Sequence, residues 1–469
     1  MNDAVIETLR AQLGERQVVT DPAEIAPWLT DWRGRWTGAA KALLQPTTTE
    51  EVATIVRICA ESGVPLVPQG GNSSMVGGAT PSDDGQALIL SLRRMNRVRM
   101  LDNQAGLVVA EAGVILQNLH EAAMKQGWRF PLTLGAKGSA TVGGLVSTNA
   151  GGTQVLRFGT MRGLTLGIEA VLPDGSIHCG LGGLKKDNRG FSIDQLLIGA
   201  EGTLGVVTAA LLKLAPAPIA RSTAFVGVSG PRAALTLLRR IEKQTSQVEG
   251  FELLPHDSLE AARKHLDVAS PLSGKHDWYV LVEATQAKGQ DDPKALLERL
   301  LAYAMEDGLV ADAAIAASEA QSEAMWRIRD GLSDSEKQAY GVATQHDISV
   351  PVDAIPDFLD AVKADVEARW PGCWVSGYGH LGDGNIHLHV RAMERGGEDW
   401  QEGEGKEIAR RVHDLVTKAG GSISAEHGIG QMKRDELARL GEPARLHALR
   451  AIKAALDPKG IMNPGKLIP

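Results

Sequence analysis

Three histidines crowd the stretch GYGHLGDGNIHLHV (377–390) of a chain that holds only 12 among 469 residues. His380 and His387 lie on either side of Asp383-Gly384, a dipeptide suited to a tight turn, so one reading is a β-hairpin with simply hydrogen-bonded imidazoles. The other is a metal site, in which glycines bend the backbone until both rings face one ion. A third donor favours the metal reading, and SISAEHGIG (422–430) offers one in Glu426, beside His427 and outside any helical pattern. Taken alone, those two residues read as a solvated carboxylate and a packed ring. Added to His380 and His387, Glu426 completes two imidazoles and a carboxylate, a donor set common at catalytic zinc that leaves positions open for substrate.

The elements that must position these groups follow from apolar periodicity. From Ala42 the chain reads strand (LLQP), helix (TTEEVATIVRICAESG, with a Thr-x-x-Glu start) and strand (VPLVPQGG). ALILSL, AGLVVAEAG and LGIEAVLPDG predict further strands, QNLHEAAMKQG a helix, and LLIGAEGTLGVVTAALLKLAP closes the region near residue 215. After Pro216 two β-α-β halves follow, TAFVGVSG to VEGFELLP and DWYVLVEATQ to LVADAAIAAS, the pattern of a ferredoxin-like layer. The expected class is α+β, with domains at 1–215 and 216–415 and a C-terminal helical segment, 416–469, packing back on the first.

Composition narrows the function. Lys plus Arg is 49 against 57 for Asp plus Glu, a net charge of −8 without long single-sign blocks, so the chain has no nucleic-acid footprint. The three cysteines are far apart and form no C-x-x-C, which argues against a disulfide framework and a cysteine-based metal site. No apolar run approaches a bilayer span, and the acidic amphipathic N-terminus lacks the marks of a targeting segment. These features predict a cytoplasmic protein without a transmembrane segment.

Glycine is in excess, 53 of 469 or about 11 per cent against a usual ~7 per cent, and it clusters. PQGGNSSMVGG (68–78) follows a strand, and LGAKGSATVGGLVSTNAGG (134–152) repeats its chemistry. Such loops bring backbone N–H groups close to phosphate. A single one is an ordinary surface turn; two suggest one extended ligand. Neither fits G-x-G-x-x-G or a P-loop, so the scaffold is of another kind.

These two loops, with GAEGTLGVVT, resemble the FAD-binding loops of the vanillyl-alcohol oxidase (PCMH-type) flavoprotein superfamily. With GHLGDGNIH, SAEHGIG and DPKGIMNPGK added in order, the chain resembles, end to end, the D-2-hydroxyglutarate dehydrogenase branch of the D-2-hydroxy-acid dehydrogenases. The resemblance implies a two-part PCMH-type FAD-binding domain and a substrate-binding cap. It implies that the first loop binds the cofactor through Pro68, Gln69, Gly70, Gly71, Asn72, Ser73, Ser74 and Gly77, with Gly70, Gly71, Asn72 and Ser73 on the pyrophosphate. Leu134, Gly135, Gly138, Ser139, Thr141, Gly143, Gly144, Asn149 and Gly151 would line the rest of the FAD, with Glu201, Gly202 and Val207 on the flavin or adenine side and Asn463 closing over the isoalloxazine. Residues 68–78 contain no histidine for covalent attachment, so FAD is expected to be non-covalent.

The resemblance assigns His380, His387 and Glu426 to a divalent ion, zinc, manganese or another, and places His427 as general base. SEAMWRIRDGLSDS is helical, with Trp326, Arg329 and Ser333 on one face. By resemblance Arg329 and Ser333 bind the distal carboxylate of a dicarboxylic substrate, for which a guanidinium fork is suited. At two positions the chain departs from the family: Gln345 replaces a lysine, and His389 replaces an asparagine assigned to the substrate's own carboxylate. D-lactate, D-malate or another D-2-hydroxy acid is therefore the alternative to D-2-hydroxyglutarate. The expected electron acceptor is an electron-transfer flavoprotein or a quinone, and the expected assembly a homodimer. A zinc hydrolase without flavin and a non-catalytic flavin-binding protein are the readings from other classes.

Overall fold

Thr48 caps the helix Thr49–Ser62 by accepting from Glu51 N, and Glu51 reaches back to Thr47 N, so the Thr-x-x-Glu signal works as a reciprocal cap. Gly63, at φ 67°, ends the helix in the left-handed conformation. Its inner face, Val52, Ile55, Val56 and Cys59, is buried against Leu44, Leu66, Leu88 and Leu90 of the neighbouring sheet. Each such side chain contributes about 1.5–3 kcal/mol of transfer free energy before entropy is counted.

The computed structural model describes residues 2–392 and 397–469. They form two units, one of residues 1–152, 159–217 and 426–469 and the other of 153–158 and 218–425. Unit 1 holds two main sheets. The first runs in the order Val18–Val19, Leu43–Leu44, Leu88–Ser91, Leu66–Gln69, and its last three strands are parallel. The second is antiparallel in the order Val98–Asp102, Leu107–Glu111, Val206–Lys213, Thr165–Val171, Ile177–Cys179. The C-terminal tail joins the first sheet through a parallel bridge between Leu66 and Met462.

Unit 2 is built on one seven-stranded sheet in the order Asp312–Ile315, Ala220–Val228, Trp278–Gln286, Val248–Pro255, Cys373–His380, Asn385–Ala392, Thr344–Ser349. The first four strands carry the two β-α-β halves in ferredoxin-like order. Helices Pro231–Glu242 and Pro293–Glu306 bury Leu237, Leu238, Leu297 and Leu300 in its core. The other three strands extend the sheet. The predicted hairpin stands among them: Gly384 sits at φ 89°, and Asp383 Oδ1 accepts from Asn385 N at 3.0 Å. Strand alternation sends Ile386, Leu388 and Val390 into the core, leaving His387, His389 and Arg391 on the other face.

The unit boundaries depart from the expected domains in two places. Helix Glu404–Lys418 packs Ile408, Val412 and Val416 into the core of unit 2, so the C-terminal part of unit 1 begins at Glu426 and not at 416. Residues Thr153–Phe158 also leave unit 1, because Arg157 is bound to Glu249 at 2.6 Å and to Thr285 at 2.9 Å.

Candidate active site

Within unit 1 the two glycine loops meet around a cavity of about 700 Å³. Gly71 permits the meeting: a Cβ there would lie 1.9 Å from Ser139 O, and one on Gly70 would lie 2.2 Å from Thr141 Oγ1. The wall contains Pro68, Gln69, Gly70, Gly71, Asn72, Ser73, Ser74, Leu134, Gly135, Gly138, Ser139, Thr141, Gly143, Gly144, Gly151, Glu201, Gly202 and Val207. Thr141 Oγ1 is buried without a partner among the described residues, a polar atom left for a ligand. A largely apolar cavity with such an atom and close backbone suits FAD.

Three residues expected at the cofactor stand behind the wall. Asn149, at φ 50°, ends the helix Val142–Thr148, and its Oδ1 accepts from Arg162 N. Asn463 donates to Gly78 O and Glu201 O, and Gly77 O accepts from Gln431 Nε2. All three bear on the shape of the wall without lining it. Trp32, Met75, Ala112 and Leu145 do line it and were not expected. Only Trp32 gave a signal, as a large aromatic in a polar, glycine-containing stretch.

Glu426 and His427 line the same cavity. Glu201 fixes their loop: its Oε1 accepts from Ile429 N at 2.7 Å and its Oε2 from Gly430 N at 2.8 Å. Burial pushes the Glu201 carboxyl up, against the pull of those two N–H donors and of Lys433. Gln431 adds bonds to Gly77 O and Thr80 O, and Gly430 leaves no room for a side chain beside Val76 O.

Unit 2 carries the histidines on the polar face of its sheet. His380 ends its strand 5 % exposed, with its ring centroid 5.6 Å from that of His387. Directly across the strand pair from His380 lies Glu252, whose Oε1 accepts from His380 Nδ1 at 2.6 Å. Glu252 Oε2 accepts from Arg329 Nε at 2.8 Å, and Arg329 Nη2 lies 3.0 Å from His380 Nε2. Burial alone would raise the Glu252 carboxyl, but the charges of Arg329 and His380 outweigh it and hold the group at about 2.

The remaining expected substrate residues lie on the same face. Gln345 and His389 are register partners, and Gln345 Nε2 approaches Ser333 Oγ at 3.5 Å. His389 Nδ1 donates to Glu336 Oε2 at 2.8 Å, and Glu336 also accepts from Ser258, Ser376 and Arg391. The single helix expected over 322–335 is broken. It ends at Gly331, where a Cβ would press on Leu266, and a second helix, Leu332–Tyr340, carries Ser333. Within the first of these helices Trp326 Nε1 donates to Glu283 Oε2 at 2.8 Å, while Arg329 binds Glu252. Glu252 and Glu336 were missed, although the two acids inside the buried strand VEGFELLP, Glu249 and Glu252, are a signal that periodicity alone discards.

Residues 217–467 match the C-terminal domain of FAD-linked oxidases, and residues 40–180 match an FAD-binding domain family. The chain is 38% identical to the mitochondrial D-2-hydroxyglutarate dehydrogenase of Arabidopsis thaliana, over 97% of this chain and 80% of that one. It belongs to the FAD-linked oxidases, on the D-2-hydroxyglutarate dehydrogenase branch. A mitochondrial D-2-hydroxyglutarate dehydrogenase of Bos taurus is also 38% identical to this FAD-linked oxidase, over 97% of it and 81% of that protein. The D-2-hydroxyglutarate–pyruvate transhydrogenase of Saccharomyces cerevisiae is 34% identical, over 95% and 90%. Crystalline p-cresol methylhydroxylase shares the fold, with a TM-score of 0.76 at 16% identity over 99% of this chain and 96% of that one.

The expected cytoplasmic location is overturned: these dehydrogenases carry mitochondrial names, which point to a mitochondrial location. Free cysteines and mild acidity report redox state and solubility, which cytosol and mitochondrial matrix share, so composition could not tell them apart. Among the described residues no helix is long and apolar enough to cross a membrane.

Proposed function

We propose that the chain oxidises a D-2-hydroxy acid to the 2-oxo acid, with D-2-hydroxyglutarate to 2-oxoglutarate as the leading reaction. The observation that carries this reading is one cavity lined by both glycine loops and also by Glu426 and His427. The loops that would hold FAD and the residues suited to acid–base and metal work thus share one wall.

By residue type, two imidazoles and a carboxylate, His380, His387 and Glu426 suit a divalent cation, zinc or manganese among them. FAD, when bound, supplies the acceptor for the hydride leaving Cα, and a cation, when bound, lowers the pKa of the substrate hydroxyl. His427 takes the hydroxyl proton, since a neutral imidazole titrates near working pH. One hydride and one proton leave, and the C–O single bond becomes a carbonyl. Ser333, Gln345 and His389 offer polar contacts to the substrate, and Arg329 offers a guanidinium for its distal carboxylate. FAD is held without a covalent bond.

Arg329 is neutralised by Glu252, and Gln345 brings no charge, so D-lactate, D-malate or another D-2-hydroxy acid stands as the second reading. An electron-transfer flavoprotein or quinone takes the electrons, with a 2-oxo acid as the other route, and the protein works as a homodimer. The test is anaerobic reduction of the purified flavoprotein by a panel of D-2-hydroxy acids, with and without chelator. Bleaching by D-2-hydroxyglutarate that chelator suppresses and added zinc restores supports the reading; a flavin unreactive toward every acid sinks it.

A further inference from the structure

One guanidinium holds the first glycine loop from outside the cavity. Arg93 Nε donates to Gly70 O and Arg93 Nη2 to Gly71 O, both at 3.0 Å, and its Cζ stands 4.5 Å over the Trp28 ring. These peptides are trans, so each gripped carbonyl turns the next N–H, that of Gly71 and that of Asn72, the opposite way. Gly70, Gly71 and Asn72 line the cavity and Arg93 does not, so the opposite way leads inward. Among the described residues neither N–H has an acceptor. The cavity wall also holds no lysine or arginine, and its acids are Glu201 and Glu426. Arg93 in turn pairs with no carboxylate among the described residues, so no fixed charge neutralises it.

We propose that Arg93 is the positioning residue and the counter-charge for the pyrophosphate of FAD, acting through the peptides of the first loop. The inference rests on the FAD reading of the cavity. A pyrophosphate brings negative charge to a wall that offers N–H donors but no cation. The guanidinium polarises the two peptides whose carbonyls it holds, which strengthens the N–H groups turned toward the anion. Its own charge acts across a single layer of backbone. The Trp28 ring fixes the plane of the fork, so both bonds form together.

The experiment is titration of the full-length apoprotein with FAD, read by flavin fluorescence and by retention on ultrafiltration, at low and at high salt. Arg93→Gln can still donate to a carbonyl but carries no charge, and its Kd for FAD is expected to rise about tenfold. That gap from wild type should shrink as salt screens the charge. Arg93→Lys keeps the charge but loses the fork, and should fall between the two. Thermal unfolding of each apoprotein separates a lost fold from a lost cofactor. If Arg93→Gln does not fold, Arg93→Lys carries the test, and unchanged affinity in it overturns the positioning role. Wild-type affinity in a folded Arg93→Gln overturns the proposal, and a loss of equal size at every salt concentration overturns the counter-charge. A wild-type apoprotein that takes up no FAD removes the FAD reading itself and this inference with it.

Discussion

Glu336 and Arg391 form a fully buried ion pair, Oε2 to Nη1 at 2.8 Å, with side-chain exposures of 0 % and 1 %. The same carboxylate accepts from His389 Nδ1, so the pair also sets the orientation of the ring that replaces the family's asparagine.

Removing one partner of such a pair strands the other charge out of water. Glu336→Gln should destabilise the fold by about 3–5 kcal/mol, because Arg391 then lacks its counter-ion. Urea unfolding of the apoprotein measures this; a loss below ~1 kcal/mol would mean that water reaches Arg391.

The same residue predicts an acid dependence. Burial would raise the Glu336 carboxyl, but His389, Arg391 and Ser258 outweigh it and hold the group at about 2 in the fold, below its ordinary 4.5. A depressed folded pKa gives stability that is complete above pH 4.5 and lost as pH falls from there through about 2. Wild type minus Glu336→Gln should therefore show a stability difference that shrinks across this window. A difference flat in pH would contradict it.

Glu201 should act on catalysis through the loop that carries His427. Glu201→Ala strands the N–H groups of Ile429 and Gly430, at about 1–3 kcal/mol of local cost. Turnover is expected to fall at least tenfold while bound flavin changes less. Full turnover in this variant would show that the loop holds its shape by Gln431 and Gly430 alone.

His427→Gln removes the proposed base. Loss of general-base catalysis costs about 10²–10⁴ in rate, so kcat should drop on that scale, the acidic limb of the pH profile should disappear, and flavin absorbance should persist. Retention of that limb would assign the base elsewhere.

Gly71→Ala should empty the cavity of flavin. Its Cβ would meet Ser139 O at 1.9 Å, so the two loops must part. The flavin-to-protein absorbance ratio is expected to fall severalfold, with little recovery on adding FAD. Acid precipitation of the wild type should leave the yellow chromophore in the supernatant; colour retained in the pellet would reveal a covalent bond.

The sequence showed most of the loops and hairpins because their signals are local. Thr48 and Glu51 cap their helix, Asp383-Gly384 turns its hairpin, and the β-α-β halves of unit 2 are written in apolar alternation. Arg329's partner was not legible, because Glu252 lies 77 residues away and they meet only through the strand order. The break at Gly331 escaped for a similar reason: helical spacing runs through it, and only Leu266, from another helix, shows why a side chain is excluded. Asn149 and Asn463 bond to backbone atoms of neighbouring segments, contacts that residue type does not announce.

Unit 1 is discontinuous, and this orders its biogenesis. Glu426–Pro469 leave the ribosome after all of Pro218–Ala425, so unit 2 has its whole strand set available while the first unit still waits for Met462 to join Leu66. The two glycine loops are thus made well before Glu426 and His427, and the seat for FAD is finished only once the tail has emerged.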